Sequence, residues 1–254
     1  MRASGTLLLL CLAFHHPASA QVSGQLALLS DYRQRGVSLS DTGPSFQATV
    51  NYDHGSGFFA GAMASRVRIV TQLESRSGGT YDAYGVYAGP VLQRYRISRA
   101  GTGTQLYVGY ADTLSEALTW ELGAIGYRFP RVSAAPDYDY AETFVGLGLD
   151  RINFRLYRSN DYYGVGAQMT YLEANLSQPL TELLTLSAHV GRQGLRTPTS
   201  HSNRMDYRLG LGARIFPEAV VEFAVVGTSL RGSACPVSGQ GCSRRATLSI
   251  SHSF

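Results

Sequence analysis

Segments in which apolar and polar residues alternate recur along almost the whole chain, and this pattern most restricts the possible fold. One example is SFQATVNYD at residues 45–53, and the last is RATLSISHSF at residues 245–254. Alternation places apolar side chains on one face of a β-strand and polar side chains on the other. No heptad repeat or convincing helical stripe is present, so the sequence predicts an all-β protein.

The alternating segments number twelve, and the links between them are sorted by length. Links after even-numbered segments are short, as at Asp150 and Arg151, and links after odd-numbered segments are longer, as at residues 34–44. This layout is typical of a transmembrane, antiparallel up-and-down β-barrel with short periplasmic turns and long extracellular loops. In lipid, only a helix or a closed barrel satisfies every backbone polar group. The twelve segments lie at residues 24–33, 45–53, 57–66, 104–112, 118–128, 140–149, 152–159, 168–177, 182–191, 204–215, 219–227 and 245–254.

The shortest link predicts a register that can be checked against the pattern. If Asp150 and Arg151 form a two-residue hairpin turn, Leu147 faces Phe154 across the two strands. The neighbouring outward pairs are then also apolar, whereas the opposite face carries small and polar residues. A slip of one residue would mix the two faces.

The second long link, residues 67–103, contains two more segments with strand character, at 80–89 and 91–98. We expect the two segments to pair with each other as a hairpin and to form a β-extension that projects from the barrel. Two alternatives remain open: a further strand pair that gives fourteen strands, or a constriction folded into the lumen.

The first twenty residues have the features of a secretory signal peptide. Arg2 precedes the apolar core LLLLCLAF at residues 7–14, and Ala18-Ser19-Ala20 forms a small-residue cleavage site. The core is far shorter than the ~20 residues of a spanning helix. We expect cleavage after Ala20, which leaves residues 21–254 as one outer-membrane β-barrel of a bacterium.

Cysteines and charge limit the chemistry of the exported chain. Cys235 and Cys242 remain after cleavage, and an even number in an exported protein predicts a disulfide, with two free thiols as the alternative. We expect no metal and no cofactor.

The formal net charge is +4, and every basic residue is an arginine. These arginines are not concentrated in one patch, so nucleic acid is not an expected partner.

The inward-facing positions carry charges of both signs. They fill a narrow lumen and neutralise one another, or they create a transverse field in a water-filled pore for small solutes, with a possible preference for anions. Across the turn at residues 216–218, we expect Arg214 to pair with Glu222. The predicted pore-lining residues are Glu121, Arg155, Glu173, His189, Arg208, Arg214 and Glu222.

Residues 23–47, SGQLALLSDYRQRGVSLSDTGPSFQ, resemble the opening of the TorF family of proteins regarded as porins, also described as the Gcw_chp family of bacterial proteins of unknown function. The shared elements are S-D-Y at 30–32, R-G-V-S at 35–38 and G-P at 43–44. The resemblance implies an outer-membrane location and a porin function. This chain departs from the family at residues 71–103, where the family's chain is shorter. Similar segments continue at residues 57–65, 106–130, 159–164 and 206–212.

The SDYRQRGVS element lies where the first strand meets its loop. Asp31, Arg33 and Arg35 share one face, which points inward if Leu26 and Leu28 face lipid. Such a cluster would pin the loop or line the mouth of the barrel, and we favour pinning.

A passive channel for small solutes or ions is the function we expect. A closed structural or surface-binding barrel is the alternative, followed by a membrane-embedded hydrolase. We do not expect an enzyme, because His189 and Ser187 share a face but have no evident third member of a catalytic triad. The expected partners are outer-membrane lipid, lipopolysaccharide and the barrel-assembly machinery, which would recognise the terminal Phe254. The identity of the solute is open.

Overall fold

The computed structural model describes residues 20–76, 80–81, 87–88, 91–131, 137–231, 235 and 239–254. Twelve antiparallel strands form a closed barrel in which each strand pairs with its sequence neighbours and the last pairs with the first. The barrel strands are β1 (Gln21–Leu29), β2 (Ser45–Asp53), β3 (Phe58–Arg76), β4 (Val91–Ser115), β5 (Leu118–Arg128), β6 (Tyr140–Leu149), β7 (Ile152–Tyr162), β8 (Ala167–Pro179), β9 (Leu184–Arg196), β10 (His201–Phe216), β11 (Ala219–Thr228) and β12 (Arg245–Ser253).

The predicted fold class and the predicted register are confirmed. Each of the twelve alternating segments contributes a barrel strand. Leu147 lies opposite Phe154, as the two-residue turn requires. Asp150 in that turn has a left-handed φ of 46°, the conformation that two-residue hairpin turns favour.

The two ends of the barrel differ in the lengths of their links. We call the end that carries Asp150 and Arg151 the turn end and the opposite end the loop end. At the loop end, the links 163–166 and 197–200 are short because their flanking strands are longer than the sequence predicted. The long link at residues 30–44 folds over the lumen and contains a small hairpin of Arg33–Gln34 with Val37–Ser38.

Residues 71–76 and 91–103 form a β-extension of two barrel strands. The pairing of β3 with β4 continues without interruption from Phe58 opposite Tyr110 to Ser75 opposite Gln93. The predicted pairing of segment 80–89 with segment 91–98 is therefore wrong, because Val91–Ser98 pairs with β3. The two segments add no strands to the barrel, so the fourteen-strand alternative is also wrong.

The outward face of the barrel is apolar along most strands. Leu106, Val108, Phe154, Leu209 and Phe223 are each more than 40% exposed, and all point away from the lumen. A contiguous apolar surface of this size is the lipid-facing band of a transmembrane barrel. In the part of the chain that the structure describes, no helix is both long enough and apolar enough to cross a bilayer.

Pairing of β1 with β12 closes the barrel and includes the last residue of the chain. The backbone N–H of Gly24 donates to the Phe254 carbonyl at 2.8 Å, and the Phe254 N–H donates to the Gly24 carbonyl at 3.0 Å. The Phe254 ring packs over Gly24, where an added Cβ would lie 2.5 Å from a ring carbon. The terminus is thus held by the sheet rather than frayed.

Cys235 and Cys242 form the predicted disulfide, at the end of the link between β11 and β12. The predicted signal peptide falls almost entirely outside the described residues, which begin at Ala20. Cleavage after Ala20 stays a prediction.

Deletion of Phe254 should impair insertion more than replacement of its ring. The deletion removes both backbone hydrogen bonds to Gly24, whereas Phe254→Ala keeps them and removes only the ring. We expect the deletion variant to lose most of the heat-modifiable, folded species in isolated outer membranes, with an intermediate loss for Phe254→Ala. Wild-type assembly of the deletion variant would contradict this role of the terminus.

Candidate functional site in the barrel lumen

The tip of loop 30–44 crosses the lumen. Arg35 and Gly36 form this tip with left-handed φ angles of 49° and 76°. Gly36 packs so closely on β11, two strands from β1, that a Cβ would lie 2.7 Å from the carbonyl oxygen of Gly227. Only glycine combines this conformation with this approach. The tip therefore spans from β11 on one side towards β6 on the other.

Asp31 organises the base of the loop. Its buried carboxylate accepts hydrogen bonds from Arg33 Nε at 2.7 Å and from Ser38 Oγ at 2.6 Å, with a third from Ser40 Oγ at 3.1 Å. Arg33 also donates to the carbonyl oxygens of Gly36 and Ser243. These contacts hold the loop in one conformation and join it to the segment before β12.

Arg35 extends from the tip to the opposite wall. Its guanidinium donates to both carboxylate oxygens of Glu142, at 2.7 and 2.8 Å, and lies 4.1 Å from the centre of the Tyr171 ring. Burial alone would lower the pKa of Arg35, but the charge of Glu142 and the nearby Tyr162 outweigh it, and the pKa lies above its ordinary value. Arg35 is therefore a permanent cation inside the barrel.

Aromatic side chains surround Arg35 and fill one side of the lumen beneath the loop. The Tyr127 hydroxyl donates to Glu142 at 3.2 Å, and the Tyr127 and Tyr140 rings stack at 4.4 Å. This layer narrows the lumen at the β5–β8 wall. Its buried members are Tyr127, Tyr140, Phe144, Tyr157, Tyr162, Ala167, Met169 and Tyr171.

A first ion-pair network lies closer to the turn end. Arg155 pairs with Glu121, with one nitrogen–oxygen distance of 3.1 Å. Glu173 accepts hydrogen bonds from the Tyr157 hydroxyl and from the Asn175 amide, both at 3.1 Å. The predicted pore-lining residues Glu121, Arg155 and Glu173 thus point inward together.

His189 belongs to a second network, on β8 to β10. Its Nε2 lies 2.8 Å from Asp206 Oδ1 and its Nδ1 lies 2.6 Å from Asn175 Oδ1. Ser187, two residues away, donates its hydroxyl to Glu222 at 2.6 Å. An activated serine would need its hydroxyl on the histidine, and the geometry does not provide this arrangement.

The predicted pair between Arg214 and Glu222 is wrong. Glu222 forms its ion pair with Arg208. The strand register places Glu222 opposite Gly212 and Arg214 opposite Val220, with a register shift directly after Arg214. Arg214 and Glu222 share the inner face but lie two positions apart along the paired strands, so matching faces alone did not identify the ion-pair partner.

All seven predicted pore-lining residues occupy inward positions, but the prediction was incomplete. It omitted Glu142, Arg204 and Asp206, all of which are buried in the lumen. The alternation along β10 could have identified two of them, because Arg204 and Asp206 lie on the same face of the strand as Arg208.

A strip of the β9–β10 wall carries polar atoms without a protein partner among the described residues. Both amide atoms of Gln193, Arg204 Nε and Asp206 Oδ2 are buried and make no hydrogen bond. Gln193 lies directly opposite Arg204, and Asp206 follows two residues later on the same face. Buried polar groups of this kind are normally satisfied by ordered water.

Comparison with solved structures finds other β-barrels. The NanC porin is 11% identical, with a TM-score of 0.53 over 92% of this chain and 99% of that chain. The KdgM porin is 7% identical, with a TM-score of 0.48 over 93% and 99%. The Pseudomonas putida toluene transporter TodX is 10% identical, with a TM-score of 0.45 over 94% and 89%. At such identities, the similarity to NanC concerns the fold.

Comparison with curated proteins finds no match. A family model described as "Bacterial protein of unknown function (Gcw_chp)" matches residues 15–251.

Removal of one partner from the Arg208–Glu222 pair should be costly. Arg208→Gln leaves the buried Glu222 carboxylate without its cation, which typically costs about 3–5 kcal/mol. We expect the double variant with Glu222→Gln to recover part of this loss, as measured by urea unfolding in phospholipid vesicles. Arg231→Gln, at an exposed loop position, is the control. Additive effects of the two substitutions would show that the pair is not coupled.

Proposed function

Because this chain belongs to the Gcw_chp family of bacterial proteins of unknown function, we propose its function from its own geometry: it is a porin-like channel for small solutes or ions in the bacterial outer membrane. This proposal rests on one observation: the outer and inner faces of the closed barrel differ in polarity. The outer face is an apolar band, and the inner face carries ionised and hydrogen-bonding side chains.

The loop tip sets the narrowest part of this proposed channel. Asp31 and Arg33 pin the loop, and Arg35 latches it to Glu142 across the lumen. Because the aromatic layer occupies the β5–β8 wall, we place the water path along the β9–β10 strip with Gln193. The loop tip at Gly36 packs against this strip and its polar atoms are buried, so the path opens when the tip moves off the strip.

We infer the orientation from the lengths of the links at the two ends of the barrel. A leader cleaved after Ala20 exports the protein, and the barrel-assembly machinery recognises the strand that ends at Phe254. The turn end then faces the periplasm and the loop end faces outward, as in outer-membrane barrels generally.

Selectivity depends on how the charges of the lumen balance. Most arginines and carboxylates are paired, which reduces the net field along the path. We therefore propose that any preference for anions is weak. Among the described residues, the inward arginines are Arg35, Arg155, Arg204, Arg208 and Arg214, and the inward carboxylates are Asp53, Glu121, Glu142, Glu173, Asp206 and Glu222.

A closed, surface-binding barrel is the second candidate function. The bidentate Arg35–Glu142 pair and the buried aromatic layer favour it, because both obstruct the lumen. A hydrolase is not proposed, since the Ser187 hydroxyl donates to Glu222.

Reconstitution into planar lipid bilayers tests the channel directly. We expect discrete conductance steps in symmetrical KCl and a small reversal potential in a KCl gradient, because the charges of the lumen are balanced. Folded protein is confirmed by heat-modifiable migration of the same preparation. A folded barrel that gives no steps at any voltage would establish the closed alternative.

Release of the loop latch should widen the path. Arg35→Ala removes the guanidinium from the lumen, and the double variant with Glu142→Gln also removes the carboxylate left without its partner. We expect higher single-channel conductance for both variants than for the wild type. Arg131→Ala removes an exposed loop arginine and should leave conductance unchanged. Equal conductance in all four proteins would show that the latch does not limit flow.

A further inference from the structure

Arginines on the outside of the barrel end the apolar band at the loop end. On β7 the outward positions are Ile152, Phe154 and Leu156, followed by Arg158. On β9, Val190 is followed by Arg192 in the same way. Six exposed residues of this kind, on four strands that run towards the loop end, form what we call the arginine belt: Arg66, Arg68, Arg128, Arg158, Arg192 and Arg196.

Few contacts of the described residues involve the guanidinium groups of the belt. The ion pairs of the described residues involve none of the six. Arg158 makes one long hydrogen bond, 3.4 Å to Thr170 Oγ1, and remains exposed. A cation on the lipid-facing surface costs about 2–4 kcal/mol at the midplane and close to zero at the interface. The belt arginines therefore lie at the border of the apolar band, at the level where the lipid head groups begin.

Exposed charges differ in sign between the two ends of the barrel. The position of the belt arginines at one end is therefore not what a random distribution would give. The turn end carries mainly carboxylates, with Arg151 as a local exception. The exposed acidic residues at or near the turns are Asp112, Glu116, Asp150, Glu182 and Glu218. Among the described residues of the loop end, the exposed carboxylates Asp137 and Asp161 are fewer than the six belt arginines, and Asp137 is paired with Arg131. The loop-end border of the apolar band thus attracts anions, whereas the turn end does not.

We propose that the arginine belt binds the phosphate groups of lipopolysaccharide in the outer leaflet. A guanidinium binds phosphate through two parallel hydrogen bonds, and the chain uses arginine exclusively for its basic residues. Successive belt strands are two strands apart, about 10 Å. A head group that carries several phosphates on a rigid sugar framework matches such spacing better than a lipid with one phosphate.

A cavity between β3 and loop 30–44 could hold part of the head group beside the belt. It has a volume of about 280 Å³ and is lined by the belt residues Arg66 and Arg68, with Ser40 and Asp41 from loop 30–44. The backbone N–H of Arg68 donates to the Leu39 carbonyl at 2.7 Å. A lipopolysaccharide head group in this cavity would contact the same loop that crosses the lumen.

Binding of purified lipopolysaccharide to the protein in nanodiscs of neutral phospholipid tests the proposal. The belt variant carries Arg128→Gln, Arg158→Gln and Arg192→Gln. The control variant loses the same charge at three exposed positions outside the belt. Its substitutions are Arg131→Gln, Arg151→Gln and Arg231→Gln.

We expect the belt variant to bind on the order of a hundredfold more weakly than the wild type, since each arginine near a charged surface contributes about fivefold. The control variant should bind like the wild type. Dephosphorylated lipopolysaccharide, phosphatidylglycerol and inorganic phosphate should compete poorly.

Equal binding by the belt variant and the wild type would overturn the proposal, as would strong competition by any of the three other ligands. Heat-modifiable migration shows that each variant is folded. Conductance of the belt variant in the same lipid shows whether the channel survives, so failure of this proposal is separate from failure of the channel.

Discussion

Closure of the sheet between β1 and β12 is the constraint on which the rest of the structure depends. In lipid an unpaired strand edge leaves a row of backbone N–H and C=O groups without partners, at several kcal/mol each. The chain meets this requirement to its final residue, because Phe254 exchanges two backbone hydrogen bonds with Gly24. Closure also separates an inside from an outside. Every alternating strand must then divide its side chains between lipid and lumen.

This constraint explains why so much of the fold could be predicted from the sequence. Period-two alternation fixes which side chains face lipid, and a one-residue slip would exchange the two faces of a strand. The apolar pair Leu147 and Phe154 across a two-residue turn was therefore enough to give a correct register. Strand ends were less accurate at the loop end, because beyond the bilayer a hairpin such as that of β3 and β4 pairs without a lipid-facing pattern.

The partners of the charged lumen residues could not be predicted in the same way. The alternation along a strand shows which side chains point into the barrel, but a long side chain can reach past the neighbouring strand. Arg155 on β7 pairs with Glu121 on β5, and it does so across Gly146 of the strand between them. A Cβ on Gly146 would lie 2.5 Å from a carboxylate oxygen of Glu121. Small residues on the inner wall thus determine which charged side chains form ion pairs. A search for opposite charges on neighbouring strands overlooks pairs that cross a small residue.

Loop 30–44 joins the most recognisable sequence element to the proposed function. Asp31, Arg33 and Gly36 of SDYRQRGVS give the loop its shape, and this shape delivers one guanidinium to a buried carboxylate. An ionised Arg35 inside the barrel requires either Glu142 or water, since a charge without a partner is costly in a medium of low polarity. The pair with Glu142 is the arrangement that the structure shows, and it holds the loop across the lumen. Any movement of this loop would have to supply water to both charges of the pair, without any change in the barrel wall.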